Sequence, residues 1–571
     1  MRPPARRRVL LPLVLVLALA TGACSPPTGE RDEAEPPAAV TADGPHASPD
    51  RQVAEPEVIA SPDLTRVRFD LGNIDVSPEG RSGEFVAPSR GTLTVPHDTG
   101  TALPVVVLGH LRAATCEDGS FRYPCPGGAS VRYDVGMDYL ADAIASQGYA
   151  VLAPDLAPVM LGHQVRGAYD QQSAWTETVR AQLAALDGGA QQGPSAELLH
   201  GGVDELRTAL QVLDTSSVDW VVHSRSGMLV PSAAESLAPD HETRSIVYLA
   251  TAHDLGTDTE AEPLDAPPPD VPSLGITGSE DSDVPEASTR WAAAHFDQDR
   301  REPLAVGTVR GFGHNAFNEA TASDDDRRAC YGEPASASCP GTDEAQALAK
   351  QTVVEWLRAV ETGSYPTFMV DAATEAPDTW AGFAAQWFVH TPGPRQVLVS
   401  ADATRDLTDP EVPGAVASEG ASVARCRVVD GMSAGREPFS CPDTGDVAVR
   451  AGTAQVLVGW SPGAAVRFTV PDPGFTPRTL VLHVSPFTTP EGVDGVPVAL
   501  GYAGTTVDLP PTTAGLRAHG DEAFGSMPTT VRVPLDPARP GVDLTELVLG
   551  GLDDHPGPTS GLLVTGIEVA P

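Results

Sequence analysis

Short apolar runs that alternate with helical patterns restrict the possible folds of this chain more than any other feature. Each run has the length of one β-strand, and Val105-Val106-Val107-Leu108 contains no polar residue. A strand of this kind is buried on both faces, which is typical of a parallel sheet covered by helices. The runs span residues 104–108, 149–154, 219–222, 245–250, 273–277 and 304–309. They predict a mostly parallel α/β sheet with functional residues at the carboxyl ends of its strands.

Helical spacing of apolar residues fills part of the sequence between and after these runs. Two alternating segments that precede them predict antiparallel edge strands. We therefore assign residues 62–363 to one α/β domain. The predicted helices are 137–146, 199–213 and 344–361, and the predicted edge strands are 67–71 and 91–96.

The helical periodicity ends at Gly363, and short apolar runs separated by Pro, Gly and Asp follow to the end of the chain. This pattern predicts an all-β domain over residues 364–571, of the sandwich or jelly-roll type. Near its start, Trp380, Phe383, Trp387 and Phe388 are spaced as in a short amphipathic helix. We interpret these aromatic residues as interdomain packing rather than as a platform for carbohydrate.

The N-terminus has the pattern of an export signal. Several arginines precede the apolar run Val9 to Ala20, which is too short to span a membrane as a helix. Thr21-Gly22-Ala23-Cys24 then resembles a bacterial lipobox. We predict a signal peptide over residues 1–23 and lipidation of Cys24, which would hold the protein on the outer face of the membrane. Cleavage near Ala23 with release from the cell is the alternative.

Composition narrows the list of partners. The chain has 37 basic and 77 acidic residues, a net charge of −40, so we expect no nucleic-acid partner. Residues 24–61 are rich in Pro, Ala, Glu and Asp and predict a disordered tether. We expect the protein to be a monomer.

Six further cysteines form three close pairs along the sequence. In an exported protein, disulfides between near neighbours are the simplest expectation. Zinc binding is the alternative, but none of the pairs has the Cys-x-x-Cys spacing of a zinc site. The six are Cys116, Cys125, Cys330, Cys339, Cys426 and Cys441.

Ser224 lies where the apolar strand 218–222 meets a predicted helix. A sharp strand-to-helix turn of this kind can expose a nucleophilic serine, with the usual sequence Gly-x-Ser-x-Gly. Val222 and Ser226 stand in place of the two glycines. Ser226 is the alternative nucleophile. It is the weaker candidate, because Met228 would then stand where the turn requires a small residue.

An acid and a base follow Ser224 in the order that such a serine requires. Asp281 comes three residues after Gly278, at the end of the run 273–277, and is the predicted orienting acid, with Asp283 as the alternative. His314 follows Gly311-Phe312-Gly313 after the next run and is the predicted general base.

Stabilisation of a developing oxyanion needs two backbone N–H groups. Arg225, which follows the nucleophile, is the first predicted donor. The second comes from the loop Gly109-His110-Leu111-Arg112, and we assign it to Leu111.

These motifs together resemble a group of secreted bacterial α/β-hydrolases, related to the dienelactone-hydrolase, chlorophyllase and polyester-hydrolase branches. The resemblance covers residues 103–363 and implies the α/β-hydrolase fold and ester hydrolysis. The chain departs from the group's pattern at Leu111, Ala113, Val222 and Ser226. The matching segments are His110-Leu111-Arg112, Ala114-Thr115-Cys116, Tyr123-Pro124-Cys125-Pro126, Met137-Asp138-Tyr139-Leu140, Ser146-Gln147-Gly148-Tyr149, His223-Ser224-Arg225, Asp281-Ser282-Asp283-Val284 and Gly313-His314-Asn315-Ala316-Phe317-Asn318.

Two functions are therefore open at this point. The first is a membrane-tethered serine hydrolase that cleaves a small acyl ester or lipid-like substrate and needs neither cofactor nor metal. The second is a catalytically degenerate surface lipoprotein of the same fold, in which the β-rich domain carries out the recognition. The altered oxyanion loop motivates the second hypothesis.

Overall fold

The structure is a computed structural model of the 571-residue chain. The predicted signal peptide, the predicted lipidation of Cys24, and Cys330 and Cys339 lie outside the residues that it describes. Cys426 and Cys441 lie in described strands, but their side chains are outside the description. The described residues are 44–98, 100, 102–161, 169–188, 194–253, 267–281, 283–284, 287–322, 340–400, 412, 414–428, 438–441, 445–448, 455–488, 495–502, 505–510, 513, 528–535, 544–551 and 560–571.

A mixed, mostly parallel sheet forms the centre of the first region. Its order is β1-β2-β3-β5-β4-β6-β7-β8-β9-β11-β10, and the six strands from β5 to β9 are parallel to one another. The strands are β1 Glu57–Ala60, β2 Leu64–Asp75, β3 Val86–Pro96, β4 Leu103–Gly109, β5 Ala150–Pro154, β6 Leu213–His223, β7 Glu242–Leu249, β8 Ser273–Gly278, β9 Leu304–Val309, β10 Thr379–Trp380 and β11 Phe383–His390.

Helices cover both faces of this sheet. Val221 of β6 belongs to the core beneath the first and seventh helices, and its neighbour Trp220 packs on Trp175 of the second helix. Successive side chains of a strand point to opposite faces, so the two sets of helices lie on opposite sides. The helices are α1 Asp138–Ala145, α2 Gln171–Gly188, α3 Pro194–His200, α4 Asp204–Gln211, α5 Arg225–Leu237, α6 Ala287–Ala294, α7 Thr342–Thr362 and α8 Thr367–Val370, with short 3-10 turns at Pro126–Gly128, Val135–Met137, Ala157–Val159 and Asn315–Phe317.

The rest of the chain forms two antiparallel sheets that share one apolar core. One sheet has the order β16-β15-β14-β17-β24-β19-β22, with β12 also paired to β24, and the other has the order β13-β18-β23-β20-β21. The strands are β12 Gln396–Ser400, β13 Ala415–Ala417, β14 Ala421–Val428, β15 Pro438–Cys441, β16 Gly445–Ala448, β17 Gln455–Trp460, β18 Ala465–Thr469, β19 Thr479–Thr488, β20 Val498–Tyr502, β21 Thr505–Leu509, β22 Thr529–Pro534, β23 Glu546–Gly550 and β24 Ser560–Ala570.

Several local predictions are wrong. Residues 44–61 belong to the folded part rather than to a tether, because β1 pairs with β2 and Arg51 forms an ion pair with Asp70. The single helix over 199–213 is two short helices followed by the start of β6. They separate at Gly201, whose φ of +55° is in the left-handed region.

The aromatic segment 380–388 contains strand, and the first sheet therefore continues past the predicted boundary at residue 363. Trp387 packs on Phe368 in one core, and Phe388 packs in another core with Phe296, which follows α6. Adjacent residues that point to opposite faces define a strand. Since both faces of this edge strand are covered, its aromatic residues do not alternate with polar ones and resemble a helical pattern.

Candidate active site

Ser224 occupies the turn between β6, which ends at His223, and α5, which begins at Arg225. Its φ of 54° and ψ of −125° are rare for a residue with a side chain. Backbone hydrogen bonds to the end of β7 and the residues after it hold the turn. The Ser224 N–H donates to the Leu249 carbonyl (3.2 Å), and the Ala252 N–H donates to the Ser224 carbonyl (3.1 Å). Strain of this kind is often found at catalytic residues.

Val222 and Ser226, which stand in place of the usual glycines on either side of Ser224, fit because Gly109 faces them. Val222 and Ser226 are fully buried. A Cβ on Gly109, at the end of β4, would lie 2.9 Å from Ser226 Cβ and 3.1 Å from Val222 Cγ1. Ser226 Oγ also donates a hydrogen bond to the His110 carbonyl (2.6 Å). The space that Gly109 leaves therefore accommodates both departures from the usual turn.

The structure brings Ser224, His314 and Asp281 into one hydrogen-bonded series. Ser224 Oγ is 2.8 Å from His314 Nε2, and His314 Nδ1 is 2.9 Å from Asp281 Oδ2. All three side chains are buried. Asp281 Oδ1 accepts the backbone N–H groups of Asp283 (3.0 Å) and Val284 (2.9 Å). These bonds leave Oδ2 directed at the imidazole.

The loops that carry the acid and the base are bonded to each other. The Glu280 N–H donates to the Phe312 carbonyl (3.0 Å), and the Gly311 N–H donates to Ser279 Oγ (2.9 Å). Gly278 is required here, because a Cβ at that position would collide with the Phe312 carbonyl. The separation between the two loops is thereby fixed by backbone groups.

Asp283, the alternative acid, lies on the other side of the imidazole. Its Oδ2 is 3.4 Å from His314 Nε2, the nitrogen that also faces Ser224, and its side chain is 68 % exposed. It therefore does not occupy the orienting position at Nδ1, which Asp281 holds.

His223 contacts the site in a way that the sequence did not reveal. Its Nε2 donates to the His314 carbonyl (3.0 Å), and the two rings are 5.1 Å apart. Burial, followed by the charge of His314, lowers the pKa of His223 well below its ordinary value. A neutral His223 thus holds the backbone of the proposed base. In the sequence, the position of His223 immediately before Ser224 was the feature that could have indicated this contact.

Leu111, a predicted oxyanion residue, is buried with Tyr133 and Ala157. No described residue accepts a hydrogen bond from its backbone N–H. The loop is shaped by His110, whose Nε2 accepts the Leu156 N–H (2.8 Å) and whose Nδ1 donates to the Leu111 carbonyl (2.7 Å). Burial lowers the pKa of His110, consistent with a neutral ring.

Arg225, the other predicted donor, is the first residue of α5. Backbone N–H groups in the first turn of a helix have no acceptor within the helix. The helix dipole also places partial positive charge at this end. The position is therefore suited to a developing negative charge.

Cys116 and Cys125 form a disulfide, as predicted for this pair. The disulfide closes the loop that follows the Leu111 segment. Within the described ranges no group of three or more His, Cys, Asp or Glu side chains could hold a metal ion. Of the helices in the same ranges, none has the length and apolar character that a membrane crossing requires.

Neither a protein-family model nor a curated protein matches the chain. Solved structures give weak matches. A carboxyl esterase from the mycorrhizal fungus Tuber melanosporum has a TM-score of 0.30 and 13% identity, over 56% of this chain and 90% of that one. A dienelactone hydrolase-like promiscuous phosphotriesterase from metagenomic libraries has a TM-score of 0.27 and 13% identity, over 52% and 99%. A putative dienelactone hydrolase from Klebsiella pneumoniae has a TM-score of 0.26 and 15% identity, over 52% and 98%. Similarity at this level is too low to assign a family or an activity.

Proposed function

We propose that the chain is a serine hydrolase of the α/β-hydrolase fold that cleaves an ester or a related acyl bond. The observation that carries the proposal is the hydrogen-bonded series from Ser224 through His314 to Asp281. Its members follow the carboxyl ends of β6, β9 and β8, and the serine lies on a strained turn before a helix. This arrangement matches the roles that nucleophilic acyl transfer requires.

The proposed reaction begins when Ser224 Oγ attacks the carbonyl carbon of the substrate. The hydroxyl proton passes to His314 Nε2, and the Nδ1–H remains bonded to Asp281, whose negative charge stabilises the imidazolium. When the bond to the leaving oxygen breaks, His314 returns the proton to the leaving alcohol. An acyl group is then attached to Ser224. Attack of water, deprotonated by His314, releases the acid and restores the serine.

The negative charge on the carbonyl oxygen needs donors during both steps. We assign this role to the backbone N–H groups of Arg225 and Leu111. The first-turn position of Arg225 and the bonding of the Leu111 loop through His110 support the assignment. The mechanism uses no cofactor.

We further propose that the protein is exported, that Cys24 is lipidated, and that the monomer acts at the outer face of the membrane. The sequence pattern of residues 1–24 supports this proposal. The motif resemblance supports a place near the dienelactone-hydrolase, chlorophyllase and polyester-hydrolase branches. It also supports a small ester or lipid-like substrate. We also propose that the strands of the two C-terminal sheets are connected as in a jelly roll.

The test is covalent labelling with a fluorophosphonate probe, together with hydrolysis of a panel of aryl esters. Wild-type protein should label on the peptide that contains Ser224, and Ser224→Ala should lose both labelling and ester hydrolysis. Ser226→Ala is the matched control for the neighbouring hydroxyl and should still label. A folded wild-type protein that neither labels nor hydrolyses any ester would contradict the proposal and favour a binding lipoprotein.

A further inference from the structure

Two arginines, Arg112 and Arg225, place positive charge beside the proposed nucleophile. Arg225 follows Ser224 directly, and its Nη1 donates to Gln171 Oε1 (3.3 Å). Burial, followed by the nearby charge of Arg112, lowers the pKa of Arg225 to about 9. The guanidinium is thus still protonated at neutral pH. Arg112 follows Leu111, the other proposed oxyanion donor, in the loop after β4.

The guanidinium of Arg112 has one buried edge that no hydrogen bond satisfies. Its Nε and Nη2 are both buried and have no hydrogen-bond partner in the described part of the chain. A buried donor without an acceptor is costly, and a charged donor more so. Nε–H and Nη2–H together form the side of the guanidinium that can bind both oxygens of a carboxylate.

Phe121 fixes the position of Arg112. Arg112 Cζ lies 4.2 Å from the centroid of the Phe121 ring, which belongs to the loop closed by the Cys116–Cys125 disulfide. The edge has almost no solvent-accessible area, so an anion reaches it only if a neighbouring side chain moves.

The described acids do not supply a counter-ion for Arg112. Asp283 is the acid whose charge raises the pKa of Arg112, against the larger effect of burial. However, no ion pair joins Asp283 to Arg112 among the described residues, and Asp283 Oδ2 faces His314 instead. Among the residues that the structure describes, no carboxylate therefore forms an ion pair with Arg112, although the chain as a whole is strongly acidic.

We propose that Arg112 binds an anionic group of the substrate and that Arg225 adds positive potential at the same place. This inference rests on the proposed hydrolase function and names its substrate class. The substrate is an ester that carries a carboxylate, or a similar anion, near the bond to be cleaved. The anion can belong to the acyl half or to the alcohol half of the ester.

Two pairs of nearly isosteric esters distinguish these two cases. Monoethyl succinate and ethyl levulinate differ in the charge of the acyl half. The acetyl ester of para-hydroxybenzoate and para-acetoxyacetophenone differ in the charge of the alcohol half. The wild-type protein should prefer the anionic member of at least one pair by about tenfold or more in kcat/KM, as expected for hydrogen bonds to a charged group. No preference in either pair, in a protein that hydrolyses the neutral esters, would overturn the inference.

Variants connect the preference to Arg112. Arg112→Gln should reduce the ratio of anionic to neutral kcat/KM to near one, and Arg112→Lys should retain part of it because the charge remains. Arg122→Gln is the control, because Arg122 is an exposed arginine in the same disulfide loop and pairs with Asp118. A ratio that survives Arg112→Gln would contradict the inference. So would equal loss of the ratio in the Arg122 variant.

A binding measurement separates this inference from the proposed function. Calorimetric titration of succinate into the Ser224→Ala protein needs no hydrolysis. Binding that is lost on additional Arg112→Gln substitution supports the anion site, whatever the outcome of fluorophosphonate labelling. Absence of succinate binding, combined with normal labelling and no anionic preference, rejects the anion site and leaves the hydrolase intact. If Arg112→Gln does not fold, the Arg112→Lys protein and the wild-type ratio still decide the question.

Discussion

Two buried histidines in this molecule each contact a carboxylate and a hydroxyl, in two different settings. His314 lies between Asp281 (2.9 Å) and Ser224 (2.8 Å), after the ends of parallel strands. His483 lies between Glu568 (3.5 Å) and Thr530 (3.0 Å), within three paired antiparallel strands, β19, β24 and β22. The residue types alone would describe both as a hydroxyl, an imidazole and an acid.

The surroundings of the second group give it a structural role. Thr530 Oγ1 accepts the Val389 N–H of β11 (2.8 Å) and so connects β22 to the first sheet. Glu568 is also paired with Arg395 (2.7 Å), and the His483 ring packs between Phe296 and Phe388. The group therefore satisfies polar atoms where the first sheet contacts the sandwich.

The difference shows that the backbone setting, rather than the residue types, indicates chemistry. Ser224 is held at a positive φ directly before a helix, whereas Thr530 lies inside a strand. The Thr530 hydroxyl is bonded to the Val389 N–H and to His483, whose ring packs against two phenylalanines, and this leaves no room for a substrate. Variants should therefore affect activity at the first group and stability at the second.

Asp281→Asn should give the largest effect on activity. An asparagine can still accept the two backbone N–H groups at Oδ1, but it no longer stabilises the imidazolium or selects its tautomer. We expect kcat for ester hydrolysis to fall by about ten-thousandfold. The midpoint of urea unfolding should change little. A variant that retains more than a tenth of the wild-type kcat would contradict the proposed orienting role.

Glu568→Gln should give the converse result. The change removes the negative charge that compensates buried Arg395, and an uncompensated buried charge costs about 3–5 kcal/mol. Urea unfolding should show this loss, while folded protein keeps its rate of fluorophosphonate labelling. Glu546→Gln, at an exposed pair with Arg467, is the matched control and should not move the unfolding midpoint. Loss of labelling in folded Glu568→Gln would argue against a purely structural group.

Gly109→Ala should disturb the first group through packing alone. The added methyl group would contact Ser226 and Val222, and overpacking of this kind costs about 1–3 kcal/mol. Adding Ser226→Gly should recover part of the loss, although it removes the bond to the His110 carbonyl. Urea unfolding and labelling rates of the two single variants and the double variant test the coupling. Strictly additive effects would contradict it. Gly188→Ala, where the new methyl group meets nothing, is the control.

The sequence predicted the parallel sheet and the residues at the ends of its strands, because both depend on local apolar patterns. Ser224, Asp281 and His314 each lie within about five residues of the end of an apolar run. The compensation between Gly109 and Ser226 was not predictable, because these residues are 117 positions apart and meet only once β4 and β6 pair. The aromatic strand over 383–390 was missed because burial on both faces removes the alternation that marks a strand.

The second group was missed for a related reason. His483, Thr530 and Glu568 lie in strands without a turn signal, and only the pairing of β19 with β22 and β24 brings them together. Arg112 was assigned no role in recognition, since its buried edge becomes visible only in three dimensions. Sequence patterns locate elements and their ends, whereas contacts between distant elements depend on the assembled sheet.

Acidification should reduce the contribution of Glu568 to stability and so sharpen the contrast between the two groups. Burial raises the pKa of Glu568, but the hydrogen bond from His483 and the charge of Arg395 outweigh burial, and the net pKa lies below the ordinary value of 4.5. The unfolded chain therefore takes up a proton at a higher pH than the folded protein does. The stabilisation is fully present above the unfolded pKa and is lost as the pH falls through the folded pKa.

Urea unfolding of the wild-type and Glu568→Gln proteins at neutral pH and in mild acid measures this effect. The difference between the two unfolding free energies should shrink as the pH falls. Other carboxylates with lowered pKa values, such as Asp70 beside Arg51, are present in both proteins and cancel in the difference. Each unit by which the pKa of Glu568 differs between the folded and unfolded chains corresponds to about 1.4 kcal/mol. The change with pH should therefore be smaller than the loss caused by the substitution itself. A difference that stays constant with pH would mean that the charge of Glu568 is not what stabilises the junction.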